Sequence, residues 1–138
     1  MHQVIYCSRG GNTRKVAEAI AGELGTRATD VKAATIDPAA GVIFLGSGVY
    51  GGKPGEDWTK FVEARDFTGR KVAAFTTSYS NSSAGVDAMA AVLKKKGATV
   101  LGSHHCKGQF MRLMARGHPN KSDLDAAKQF ARETVKNG

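Results

Sequence analysis

Apolar residues along this chain follow two rhythms. Continuous apolar runs occur at Val4-Ile5-Tyr6-Cys7, Val42-Ile43-Phe44-Leu45 and Val72-Ala73-Ala74-Phe75, the pattern of strands buried on both faces. Between them, apolar residues recur three and four apart. Val16, Ala17, Ile20, Ala21 and Leu24 form one such set, and Trp58, Phe61 and Val62 a second. Val86, Met89, Val92 and Leu93 form a third, and Leu124, Ala127, Phe130, Ala131 and Val135 a fourth. Each set lines one face of an amphipathic helix.

Punctuating residues set the limits of these elements. Gly25 is a natural stop for the first helix and Gly97 for the third. Asn12 or Thr13 is placed to cap the first helix, and Ser122 the last. The weakly apolar stretch 27–33 predicts a short edge strand, followed by a turn at Asp37-Pro38. The second helix is expected over 56–64, the third over 84–96, a fifth strand over 99–104, and an irregular stretch over 106–120. Strands alternating with helices predict an α/β domain spanning 1–138, a parallel sheet doubly wound with helices on both faces.

In an open parallel sheet, ligands lie beyond the carboxyl ends of the strands. Three polar loops fall there, at 8–13, 47–55 and 76–83. The first, Ser8-Arg9-Gly10-Gly11-Asn12-Thr13, puts glycines, hydroxyls and an amide at a helix start, where free N–H groups favour phosphate. A plain capping turn is the competing reading. The second and third loops each bring a flat aromatic, Tyr50 and Tyr79. Together the three suit a ligand anionic at one end and planar at the other, the shape of flavin mononucleotide (FMN). Gly46-Ser47-Gly48-Val49-Tyr50-Gly51 matches the dinucleotide pattern G-x-G-x-x-G, but Gly52-Lys53-Pro54-Gly55 delays the helix and Asp66 precedes the next strand instead of ending it. The triphosphate-binding pattern G-x-x-x-x-G-K-[ST] has no match.

Composition narrows the choice. The formal charge is +8 and the pI about 9.7, yet lysines and arginines are spread out. Their one run, Lys94-Lys95-Lys96, ends a helix, where cations offset the dipole. No stacking surface is interleaved with them, which argues against nucleic acid. Two cysteines, Cys7 and Cys106, are too few for a disulfide framework. His104-His105-Cys106 lies on a predicted strand, whose side chains alternate, so no metal site is expected. The absence of a bilayer-length apolar run or a signal-like start predicts a cytoplasmic protein with no membrane span.

The three loops resemble those of the flavodoxin family. Residues 8–13 are similar to its phosphate loop [ST]-x-T-G-N-T, Gly46-Ser47-Gly48-Val49-Tyr50-Gly51 to its second loop, and Thr77-Ser78-Tyr79-Ser80 to its third. Cys106-Lys107-Gly108-Gln109-Phe110 and Gly117-His118-Pro119-Asn120 also look like short members of that group. The resemblance implies a three-layer, five-stranded parallel sheet of strand order 2-1-3-4-5 with FMN as cofactor. By family, Ser8, Gly11, Asn12 and Thr13 hold the phosphate, and Arg9 and Gly10 complete that loop. Tyr50 and Tyr79 would flank the ring, and Gly48, Val49, Gly51, Thr77, Ser78 and Ser80 would be the other cofactor-binding residues of the second and third loops. Gly51 would permit the peptide rearrangement that accompanies flavin reduction.

Two departures carry expectations. Gly10 stands where the family has a hydroxyl, leaving Arg9 to offer a charge-assisted contact. The chain is basic where flavodoxins are acidic, which points to an acidic redox partner. An electron carrier is the first function implied, with no catalytic residue to name. A reductase or oxidase of a quinone-like substrate is the alternative, served by Lys107, Arg112, Arg116 and His118, with His118 as its general acid. A flavin-free interaction module is the third. One charge ~10 Å from a flavin, at an effective dielectric of ~20, shifts an anion by about 1.7 kcal/mol, or about 70 mV for one electron. The chain is accordingly predicted to hold flavin at a less negative potential than an acidic flavodoxin. A potentiometric titration checks this, and two strongly negative couples would contradict it.

Overall fold

The computed structural model describes residues 1–78, 80, 82–108 and 117–138. In chain order the elements are β1 (Gln3–Cys7), α1 (Asn12–Leu24), β2 (Ala28–Asp30), β3 (Val42–Tyr50) and β4 (Lys53–Pro54). They continue with α2 (Glu56–Glu63), β5 (Lys71–Ser78), α3 (Ala84–Lys95), β6 (Thr99–Lys107) and α4 (Lys121–Asn137). The sheet runs β2-β1-β3-β5-β6, all pairs parallel, while β4 folds back antiparallel on β3. With the two-residue β4 set aside, that is the expected order 2-1-3-4-5.

Period-two alternation divides the sheet between two cores. Ile5, Cys7, Ile43, Leu45, Val72 and Ala74 face Trp58, Phe61 and Val62 of α2 and Val86, Met89 and Leu93 of α3. Val4, Tyr6, Val42, Phe44, Ala73 and Phe75 face Val16, Ala17 and Ile20 of α1 and Ala127 and Ala131 of α4. The apolar runs of the three central strands are therefore continuous because both faces are covered. The glycine motif of β3 has a packing cause as well. A Cβ on Gly46 would lie 2.1 Å from the Phe75 ring, so the glycine makes room for that ring.

Several boundaries differ from the sequence pattern. β3 continues to Tyr50, β5 to Ser78 and β6 to Lys107, past the residues where the apolar runs stop. The ladder joins backbone groups and does not require apolar side chains; Ser47 pairs Thr76, and Thr76 pairs His105. Polarity there marks what the side chains face. The caps differ too. Gly11, at φ 88°, caps α1 without a side chain, because a left-handed residue turns the loop into the helix. Asn120 caps α4 in place of Ser122, accepting from the Asp123 N–H while the Asp123 carboxylate accepts from the Asn120 N–H. This reciprocal box satisfies two helix-end donors at once. At the outer strand β6 the register slips by one residue. Val72 pairs Val100 but Ala73 pairs Gly102, leaving Leu101 as the extra residue of a bulge.

His104 illustrates the cost of burying an imidazole in this edge strand. Its ring stacks on Phe130 at 5.1 Å, and Phe130 meets Phe44 edge-on at 5.8 Å. Its Nε2 is buried with no hydrogen-bond partner among the described residues. Burial pushes its pKa below the ordinary 6.5, helped by His105 and opposed by Asp123. The neutral ring is thus favoured by folding. Stability is full above about pH 6.5 and falls as pH drops through the depressed value, since the unfolded chain takes the proton first. Urea midpoints measured from about pH 7 to about pH 5 should fall, and His104→Phe should remove that part of the decline.

Candidate functional site

Cys7, the last residue of β1, pairs Ser47 of β3, which pairs Thr76 of β5; β3 runs on from that level to Tyr50 and β5 to Ser78. The three loops that leave them are tied to one another. After β1, the Gly11 N–H donates to Ser8 Oγ at 3.1 Å, folding the loop back on itself. A Cβ on Gly10 or Gly11 would meet nothing within 4 Å, so the loop's outer side is open. The first turn of α1 carries no acidic residue and no side-chain cap. Its amide N–H groups have no intrahelical acceptors and lie at the positive end of the helix dipole. Arg14 is held by Glu18 at 2.8 Å.

Thr13 lies inside the site's wall. It is 1% exposed, and its hydroxyl bonds that of Thr77, itself 4% exposed, at 2.8 Å. What Thr13 offers a ligand is its backbone N–H. Gly108, just past β6, closes the same junction. A Cβ there would come 3.0 Å from Asn12 Cβ and 3.1 Å from Thr77 Cβ, and its N–H donates to the Ser78 carbonyl at 3.2 Å. Loops one and three and the end of β6 therefore form one packed unit.

The second loop is a hairpin. Val49 pairs Pro54 and Tyr50 pairs Lys53 around Gly51 and Gly52, both at positive φ, 60° and 78°. Two such residues make the tight turn whose twist matches the strands, and glycine adopts it without strain. The Gly55 N–H donates to Ser47 Oγ at 2.8 Å, and that hydroxyl donates to the Gly48 carbonyl, also at 2.8 Å. Val49 packs over Gly85 at the start of α3, where a Cβ would be 2.5 Å away.

Tyr50 and Arg9 join the first and second loops. The Tyr50 hydroxyl accepts from the Arg9 N–H at 3.1 Å, and the Arg9 guanidinium carbon lies 4.2 Å from the ring centroid. Burial raises the phenol pKa, while the Arg9 N–H and its charge oppose the rise. The guanidinium is thus placed on an aromatic ring of the second loop. In the third loop, Thr76 is fully buried with its hydroxyl unpartnered among the described residues, and Ser78 and Ser80 approach to 3.3 Å through their hydroxyls. Tyr79 lies outside the described residues.

Beside the first loop is a cavity of about 360 Å³, lined by Cys7, Ser8, Arg9, Asp30, Lys32, Glu56 and Asp57. Lys32 and Asp57 are 3.9 Å apart. Three carboxylates and two cations meet there, so the excess positive charge of the chain is not concentrated at this side of the site. Burial raises the Cys7 thiol pKa and pushes that of Cys106 up to about 12, so both stay protonated at neutral pH and are poor nucleophiles. Of the residues considered for an enzymatic role, Lys107 ends β6 exposed. His118 Nδ1 pairs with Asp123 Oδ2 at the start of α4. Arg112 and Arg116 lie outside the described residues.

Sequence reasoning missed Gly55, Ser47 and Gly108, which shape the loops from beneath. Gly51-Gly52 was legible as a hairpin signal; the close approaches at Gly55 and Gly108 have no local signature.

An open parallel sheet covered by helices on both faces, with its loops gathered at the carboxyl ends of the strands, defines a doubly wound α/β protein. A family model described as Flavodoxin domain matches residues 3–112. An uncharacterized protein of Methanocaldococcus jannaschii is 30% identical over 143 aligned positions, covering 91% of each chain. The fold is similar to that of a flavodoxin from the domain Archaea, with TM-score 0.81, 22% identity, and 98% and 96% of the two chains covered. It is also similar to oxidised Flavodoxin 1 from Bacillus cereus, with TM-score 0.76, 23% identity, and 99% and 98% covered. The chain belongs to the flavodoxin domain family.

The buried pair Thr13–Thr77 yields a specific expectation. Thr13→Val or Thr77→Val alone strands one hydroxyl and should cost about 1–3 kcal/mol, whereas the double variant removes both and should recover much of it. Denaturant unfolding of the four proteins checks the cycle; additive losses would mean the bond contributes nothing.

Proposed function

We propose that residues 1–138 act as one flavodoxin-like domain that binds FMN and passes electrons between redox partner proteins. The observation that carries this reading is the joining of all three loops by direct bonds, Thr13 to Thr77 and Arg9 to Tyr50. A phosphate cradle and an aromatic wall are thereby held at a fixed separation.

The residues present fit the cofactor. Ser8, Gly11, Asn12 and the N–H groups of the first turn of α1 would hold the phosphate, with Gly10 and Gly11 leaving the approach open. Thr13 would contribute its backbone and, through Thr77, fix the third loop. Gly48, Val49, Tyr50 and Gly51 would form one wall beside the ring, and Thr77, Ser78, Tyr79 and Ser80 the other. The positive φ already held by Gly51 keeps its peptide free to turn, as only glycine does cheaply. Bound FMN supplies one-electron chemistry that no side chain possesses. The protein's part is to bind it, exclude water from its inner faces and leave an edge for a partner.

Net charge +8 favours an acidic partner, since steering acts over the whole surface. No helix among the described residues is long and apolar enough to cross a membrane; we assign the protein to the cytoplasm.

Protein purified in the dark should show flavin bands near about 375 and about 450 nm. The apoprotein should rebind FMN tightly, with Asn12→Ala and Tyr50→Ala each weakening it about tenfold. With nicotinamide cofactor and a quinone but no added reductase, turnover should be absent. A colourless protein that ignores FMN would sink the proposal, and turnover without a reductase would replace the carrier with an enzyme.

A further inference from the structure

Arg9 is the residue of the first loop that phosphate binding leaves over. We infer that Arg9 is a positioning residue that fixes the Tyr50 ring and sets a positive charge against it, favouring the reduced state of a flavin at this site. It is not a phosphate ligand. The inference rests on the FMN reading above and deepens it.

Arg9 holds Tyr50 at two points, its N–H on the hydroxyl at 3.1 Å and its guanidinium 4.2 Å from the ring centroid. Tyr50 is the last residue of β3, next to two glycines at positive φ, a permissive stretch of backbone. Gly48 and Gly55 bring no side chain against it; a Cβ on either would come within 2.5 and 3.5 Å of its atoms respectively. The glycines make room for the ring, and Arg9 supplies the contact that orients it.

The charge on Arg9 is permanent. Lys32 is paired with Asp57 in the neighbouring cavity, whereas among the described residues Arg9 makes no ion pair and spends its guanidinium on the ring. A cation over an aromatic face is attracted by the ring's quadrupole even where the pair is partly exposed, so the position is supported without a carboxylate. Flavin gains negative charge on reduction, and a fixed cation held against a residue that would flank the ring would favour that state.

The test uses the full chain with Arg9→Gln, which keeps the backbone N–H but loses the charge, in wild-type and Tyr50→Leu backgrounds. Three quantities are read: the ratio of FMN to riboflavin affinity, the midpoint potentials, and alkaline phenol titration of the apoprotein by absorbance. Arg9→Gln should leave the affinity ratio unchanged. It should weaken reduced against oxidised FMN about fivefold, which at 59 mV per tenfold is ~40 mV more negative. The effect should vanish beside Tyr50→Leu, and one phenol should titrate at higher pH. A collapse of the affinity ratio would make Arg9 a phosphate ligand and overturn the inference, as would an unchanged potential or an effect that survives without Tyr50. If the wild type takes up no flavin, the proposed function falls, and the apoprotein titration alone decides. A shifted phenol then upholds the hold on Tyr50, and an unshifted one overturns it.

Discussion

The parallel ladder through β1, β3 and β5 is the constraint from which the rest follows. Because Cys7, Ser47 and Thr76 stand level across it, and β3 and β5 run only to Tyr50 and Ser78 beyond that level, the chain leaves the sheet three times along one edge. The outgoing loops have no choice but to meet. The ladder is rigid because both faces are buried: apolar side chains alternate strictly between the α2–α3 core and the α1–α4 core. A slip of one residue would exchange the two sets, and the loops would then part as well. Site geometry and core packing are one problem in this protein, solved by the same register.

Within the site, the contacts divide into a buried set and an exposed set. Thr13, Thr77 and Gly108 lie under the surface and lock α1, β5 and β6 together. Arg9 and Tyr50 lie above it and bridge loop to hairpin. The first set sets the position of the helix start; the second sets an aromatic plane relative to it. This separation explains how a loop with two glycines can be both open and well defined. The openness belongs to Gly10 and Gly11, and the definition comes from what lies on either side of them. Charge follows the same logic of place over total. The chain is strongly basic, yet Asp30, Glu56 and Asp57 outnumber Arg9 and Lys32 in the adjoining cavity, so the local field depends on individual positions such as Arg9.

Much of this was legible in the residues. Continuous apolar runs gave the central strands, and three-and-four spacing gave the four helices, because those patterns follow from burial on two faces or one. The three loops and their order along one edge were legible for the same reason. The strand ends were not, since Ser47, Thr76 and Thr77 look like loop residues until their backbone ladder is known. Gly11 as a cap was hidden behind the better-known capping residues Asn12 and Thr13. Arg9 suggested a phosphate contact by charge alone, and only three-dimensional proximity could show it stacked on Tyr50. Gly46, Gly55 and Gly108 matter for what touches them from distant parts of the chain, which no local pattern encodes.

The bulge at Leu101 has a consequence for the company this protein keeps. β6 is the long outer strand of the sheet, nine residues from Thr99 to Lys107, and a flat edge of that length invites pairing with a second copy and eventual aggregation. The extra residue breaks the even row of backbone donors and acceptors and twists the strand locally. Exposed Thr99, Ser103 and Lys107 make the edge polar and charged. A slip of one residue is thus confined to the pairing of β5 with β6 and leaves undisturbed the register of the three strands that position the loops.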